Sequence, residues 1–218
     1  MKKKIMGRVV VTATVILTMV LLAGPEAWAN TTAFGGYGAP ATASASADLT
    51  VPASSTITCR STMPASVKFS VGLSKGQYPI SAGFIVQCIK GSPIIYVSAS
   101  AGTASFRFAA NGGDVIAVSM SETASATTVT ATDTTTTVNE TANFTGATSA
   151  PSTAVMGATT TTKSLPLCGP VTFSSLQVDG SPLVSSEATA HKLIRAKSHA
   201  PGEDPGPLSS GSFTLTQP

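Results

Sequence analysis

Between Ala41 and Cys59 the chain alternates with a period of two. The odd positions are Ala41, Ala43, Ala45, Ala47, Leu49, Val51, Ala53, Ser55, Ile57 and Cys59, while the even positions are Thr, Ser, Asp and Pro. Successive side chains of a strand point to opposite faces, so this pattern demands a half-buried β structure and excludes an amphipathic helix. The run covers nineteen residues, longer than the usual 3–10 of one strand. Pro52 divides it, because proline cannot donate to a ladder and belongs at edges, strand starts or bulges. The expectation is an extended segment Ala41–Val51 followed by a domain strand Ser54–Cys59. A long alternating segment ahead of a cysteine-anchored strand suggests pairing outside its own domain.

Further strands are expected along the chain. Val67, Phe69 and Val71 share one face, with Lys68 on the other; Phe84, Val86 and Cys88 form a second set, Ile95 and Val97 a third. Phe106 and Phe108 alternate around Arg107, and Asn111-Gly112-Gly113 is a hairpin turn that tolerates positive φ. Val171–Val178 resumes the alternation with a slip between Phe173 and Leu176, the sign of a bulge. Phe213 and Leu215 mark a last strand. Short strands with regular turn signals and no βαβ rhythm read as an all-β sandwich.

Residues 1–29 read as a secretory signal. Lys2, Lys3, Lys4 and Arg8 precede an apolar run, and Ala27-Trp28-Ala29 is a small-x-small cleavage pattern. The run of about fifteen residues is short for the roughly 20 of a spanning helix. This segment holds four of the 13 basic residues and one of the 10 acids, so the rest keeps nine of each and no net charge. A basic nucleic-acid footprint is therefore excluded. The remaining organisation is an extension over 30–53 and a sandwich over 54–218. That sandwich carries a Thr-rich insert at 121–163, read as polar edge strands and a long loop, and a charged loop at 186–207.

The chain has three cysteines. Cys59 and Cys88 each lie in phase with the inward residues of their strands. A bridge between them closes a loop of about 30 residues and contributes roughly 3–4 kcal/mol on a chain-entropy basis. Cys168, in Leu165–Pro170, is then left over. Catalytic signals are scarce. The histidines His191 and His199 lie in the charged loop, and His199 with Glu203 and Asp204 matches no metal spacing. No G-x-S-x-G elbow occurs. The expectation is a protein without catalytic residues, cofactor or metal, and Asn-x-Thr triplets at Asn30, Asn139 and Asn143 are chance in so Thr-rich a chain.

Ile85-Val86-Gln87-Cys88, the turn Lys90-Gly91-Ser92-Pro93 and Ile94-Ile95-Tyr96-Val97 resemble the second-cysteine strand of the spore coat protein U family, which includes pilins of archaic chaperone–usher pili. Cys59, closing its own strand, fits the first cysteine. The resemblance implies an immunoglobulin-like sandwich lacking one strand and a neighbour's N-terminal extension filling the groove. Ala43, Ala45, Ala47, Leu49 and Val51 would then be donor-strand anchors. The implied function is a structural subunit of a surface fibre or coat. Its implied partners are related subunits, a periplasmic chaperone and an outer-membrane usher. The alternative is a self-contained secreted sandwich that binds a carbohydrate or host ligand.

Overall fold

The computed structural model describes residues 33–59, 65–74, 80–146, 151, 153–160, 165–191, 193–194 and 201–217. The expected signal segment 1–29, its cleavage site, Asn30 and His199 lie outside them. Ten strands come first: β1 (Ala33–Pro40), β2 (Ser44–Thr50), β3 (Ala65–Ser74), β4 (Ile80–Ile89), β5 (Ser92–Ala101), β6 (Ala104–Ala109), β7 (Val115–Glu122), β8 (Ala126–Asp133), β9 (Asn139–Thr145) and β10 (Thr153–Thr160). They are followed by β11 (Val171–Val178), β12 (Ser181–Pro182), β13 (Thr189–His191), β14 (Leu193–Ile194), β15 (Pro201–Pro205) and β16 (Phe213–Thr216). A single 3₁₀ turn, Ser54–Thr56, interrupts them among the described residues.

Two antiparallel sheets form a β-sandwich. The seven-stranded sheet runs β13-β1-β10-β3-β4-β5-β6; the nine-stranded sheet runs β14-β15-β16-β11-β2-β7-β8-β9, with β12 beside β11. Each sheet turns its apolar residues inward, as period-two alternation requires. Val67, Phe69, Val71, Phe84, Val86 and Val97 come from one sheet, and Leu49, Ile116, Val129, Phe173 and Leu215 from the other. Phe69 stacks on Phe84 at 5.1 Å, and Phe173 on Phe213 at 4.8 Å. Tyr37 meets Phe213 edge-on and donates its hydroxyl to the Gly206 carbonyl at 2.9 Å.

The alternating stretch is where the structure departs furthest from expectation. Its segment Ser44–Thr50 is β2, paired with β7 along its whole length and with β11 on its other side. Ala45, Ala47, Leu49 and the adjoining Val51 are buried in the protein's own core, while Ala43 lies in the crossing between sheets, partly exposed. Among the described residues this segment is thus a central strand of the chain's own nine-stranded sheet, paired on both sides. The periodicity identified the buried face correctly; it carried no information about whose core buries it.

The Thr-rich insert is largely strand. In β8 the inward positions are Thr127, Val129, Ala131 and Asp133, and threonine at the outward positions suits a pleated surface. The charged loop contributes the short strands β13 and β14, at the edges of the two sheets, and β15 beside β14. The expected bulge in β11 is present, with a register shift between Ser174 and Gln177 and Ser175 at φ 53°. Cys59 and Cys88 are disulfide-bonded, Cα–Cα 5.6 Å, and Cys168 is buried outside that bond. Such a bond belongs to an oxidising compartment, so the protein is an exported one. Among the described residues no helix is long and apolar enough to cross a membrane.

Candidate functional site

Because the inward positions of the seven-stranded sheet are apolar, register alone defines its outer face. One row crossing the strands reads Gly36, Gly157, Ser70, Gly83, Ser98, Arg107 from β1 to β6. The row on one side reads Gly38, Val155, Gly72, Ser81, Ser100, Ser105. The row on the other side holds larger side chains: Phe34, Thr159, Lys68, Ile85, Tyr96, Ala109. Two rows made mainly of glycine and serine, interrupted by Val155 and ending at Arg107, beside a row of larger side chains leave a trough that runs across the strands. Gly83 cannot be replaced cheaply, since a Cβ there would run into the Phe69 carbonyl of the paired strand.

The trough contains one desolvated charge. Lys68 starts in the row of large residues, and its stem crosses the gap left by Ser70 and Gly83. Its ammonium donates to Ser81 Oγ at 2.7 Å. Ser81 Oγ in turn lies 3.5 Å from Ser100 Oγ. Lying along the sheet, Lys68 is half-buried, and burial lowers its pKa from 10.5 to about 8. Removing an ammonium from water disfavours the charged form. A lysine poised near neutrality against a serine hydroxyl is the arrangement of a nucleophile and its general base.

At one end of the trough Arg107 lies over the Tyr96 ring, 4.2 Å from its centroid, a cation–π contact. At the other, His191 pairs with Gly36 on the edge strand β13, its ring 5.8 Å from Phe34. His191 is thus brought to the trough's edge, several strands from Ser81, and is not part of a triad with it. Glu203 and Asp204 lie on β15 in the other sheet, and no group of three metal-ligating side chains occurs among the described residues. The outer face of the nine-stranded sheet has a shallow depression lined by Ser46, Asp48, Ser119 and Gln177.

Sequence reasoning noted Lys68 only as the polar side of its strand and missed Ser81. The residues are thirteen positions apart, and their meeting depends on the β3–β4 register. The usable signal was a lysine in the middle of an otherwise apolar and serine strand, opposite a strand opening Ile80-Ser81-Ala82-Gly83.

No family model matches the chain, and no curated protein matches it. Solved structures do. A scytalido-glutamic peptidase holding a peptide-based transition state analog superposes with a TM-score of 0.70 at 14% identity, over 86% of this chain and 98% of that one. SCP-B, an eqolisin peptidase in complex with the tripeptide Ala-Ile-His, gives 0.66 at 14% identity over the same shares. Aspergilloglutamic peptidase from Aspergillus niger gives 0.57 at 19% identity, over 71% of this chain and 99% of that one. The fold is the one found in glutamic peptidases.

This overturns the pilin reading. The resemblance to the spore coat protein U family rested on a Cys strand, a Gly-x-Pro turn and a following β-branched run, which here form the disulfide-anchored β4–β5 hairpin of a different fold. The fibre subunit, its chaperone and usher, and assembly by strand addition fall with it, as does the expectation of a protein that is not an enzyme. Likeness at 14–19% identity is a likeness of fold, so chemistry has to come from this chain's own residues. The strands of the seven-stranded sheet contain no Asp or Glu; what its trough offers is Ser81 and Lys68.

Proposed function

We propose that this chain is an exported peptidase whose substrate lies in the trough of the seven-stranded sheet and whose nucleophile is Ser81. The observation that carries this reading is the 2.7 Å contact between Lys68 Nζ and Ser81 Oγ, with the lysine pKa brought to about 8. The fold shared with peptidases that hold peptide ligands supports it. Residues 1–29 serve as the signal peptide.

Neutral Lys68 accepts the Ser81 proton as Oγ adds to the scissile carbonyl carbon. Collapse of the tetrahedral adduct breaks the C–N bond, and Lys68 returns the proton to the departing amine. Water, deprotonated by Lys68, then cleaves the ester, releasing the acid and restoring Ser81. Ser100 holds the hydroxyl in place. Because the base works uncharged, cleavage rises with pH through about 8.

Wild-type protein and Ser81→Ala are to be compared on a quenched fluorescent peptide library between pH 5 and 9.5. A rise through pH 8 that disappears at least ~100-fold in the variant is expected. Peptide cleavage that persists in Ser81→Ala, or that peaks in acid, overturns the assignment.

A further inference from the structure

The charges of the molecule are sorted by sheet. The strands of the seven-stranded sheet carry Lys68, Arg107 and His191 and no acid. Those of the nine-stranded sheet carry Asp48, Glu122, Asp133, Glu140, Glu203 and Asp204 and no lysine or arginine. With nine acids and nine bases after residue 29, this is a polarity across the sandwich, not an excess of one sign. The charged side chains that a ligand meets on the floor of the trough are therefore all positive.

We infer that the trough selects extended acidic peptides and that Arg107 is the residue that reads the acidic side chain. This rests on the placement of substrate given above. The row that holds Ser81, from Gly38 to Ser105, crosses six strands, and five interstrand spacings of about 4.8 Å give roughly 24 Å. An extended peptide at about 3.3 Å per residue fills that length with about seven residues. Arg107 lies on β6, two strands from the β4 strand of Ser81 and one row away. A lateral separation of about 10 Å corresponds to three residues of extended chain. The preferred acid therefore sits about three residues from the scissile bond, on the β6 side. Arg107 is exposed, and its guanidinium lies against Tyr96. That stacking fixes its plane and leaves its N–H edge for a carboxylate. The glycine and serine rows supply no bulky pocket, so charge discriminates where shape does not.

The test uses full-length mature protein and separates binding from cleavage. Seven-residue fluorescent peptides carry Glu, Gln or Lys at each position flanking a fixed centre, and their affinities are measured on Ser81→Ala. The expected result is that Glu three residues from the centre on one side binds about three- to fivefold tighter than Lys. That preference shrinks in 0.5 M salt, is lost in Arg107→Gln, and reverses in Arg107→Glu. A preference of this kind in a protein that cleaves nothing leaves the inference standing and removes the peptidase reading. Cleavage by wild type with equal affinity for Glu and Lys peptides, or a Glu preference unchanged in both Arg107 variants, overturns the inference and leaves the Ser81 assignment intact.

Discussion

The two outer faces of this sandwich are both polar, yet they use polarity differently. On the nine-stranded sheet the hydroxyls and amides are spent on one another. Thr128 donates to Asn143 Oδ1 at 2.9 Å, Thr130 and Thr141 share a 3.1 Å contact, and Asn139 donates to Thr132 at 2.7 Å. Thr172 and Thr214 pair likewise at 3.2 Å. These cross-strand pairs hold the sheet together and leave it chemically quiet. On the seven-stranded sheet glycines and serines thin the surface, and a desolvated cation, Lys68, lies along it beside the exposed Arg107. A desolvated lysine destabilises a fold, so its presence there is better explained by chemistry than by architecture.

Lys68→Met gives the sharpest test of that contrast, because stability and activity should move in opposite directions. Activity is expected to fall by at least ~100-fold. The lysine pKa is lowered from 10.5 to about 8, so between those values the unfolded chain binds more protons than the folded one. Wild-type stability therefore rises with pH across that window, and below it the charged lysine carries its full penalty. Methionine removes the penalty and the slope. Urea denaturation at pH 7 should show a gain of about 1–3 kcal/mol, reduced by the lost bond to Ser81. A loss of stability together with a loss of activity would make Lys68 an ordinary structural residue.

How much of this was legible depended on the distance over which each feature is encoded. The inward face of β2 was readable because Ala45, Ala47, Leu49 and Val51 repeat locally. Its partners β7 and β11 were not, since periodicity names a buried face and no neighbour. The Thr-rich segment concealed β8 because Thr127 faces inward and Thr128 outward with the same side chain. The site was hidden for a stronger reason. Lys68 and Ser81 become chemistry only when β3 and β4 pair so that Ser70 and Gly83 clear the path between them. Charge sorting between sheets was equally invisible, because sheet membership does not follow chain order.

A smaller effect is expected at the joint between the two sheets. Asp179, exposed and at φ 51°, accepts the backbone N–H groups of Thr42, Ala43 and Ser44 and the Thr42 hydroxyl at 2.7–2.9 Å. It thereby clasps the crossing from β1 to β2. Partial burial raises its pKa, but the hydrogen bonds from Ser44, Thr42 and Ala43 outweigh that and hold it below the usual carboxylate range. A depressed carboxylate stabilises above its unfolded pKa and loses that contribution as pH falls through the folded value. Asp179→Asn keeps one acceptor and tolerates the left-handed backbone. It should cost about 1 kcal/mol at pH 6 and flatten the acid side of the stability curve, read by thermal melting from pH 6 to 2.5. An unchanged acid limb would show that the clasp does not join the sheets energetically.

The least effect is expected from Thr130→Val on the quiet face. The substitution removes a hydroxyl from an exposed Thr130–Thr141 pair and retains β-branching, so strand preference is preserved. Thr141 can turn its hydroxyl to water, and no buried group is orphaned. Stability should change by less than about 0.5 kcal/mol, and peptide cleavage not at all. The matched substitution in the trough, Ser100→Val, also keeps a strand-compatible shape but removes the hydroxyl 3.5 Å from Ser81 Oγ. It should lower kcat roughly tenfold with a smaller change in KM, because the nucleophile is then less firmly oriented. Equal kinetics for the two valine variants would mean that the faces differ in appearance alone, and Ser81 would lose its claim to a prepared environment.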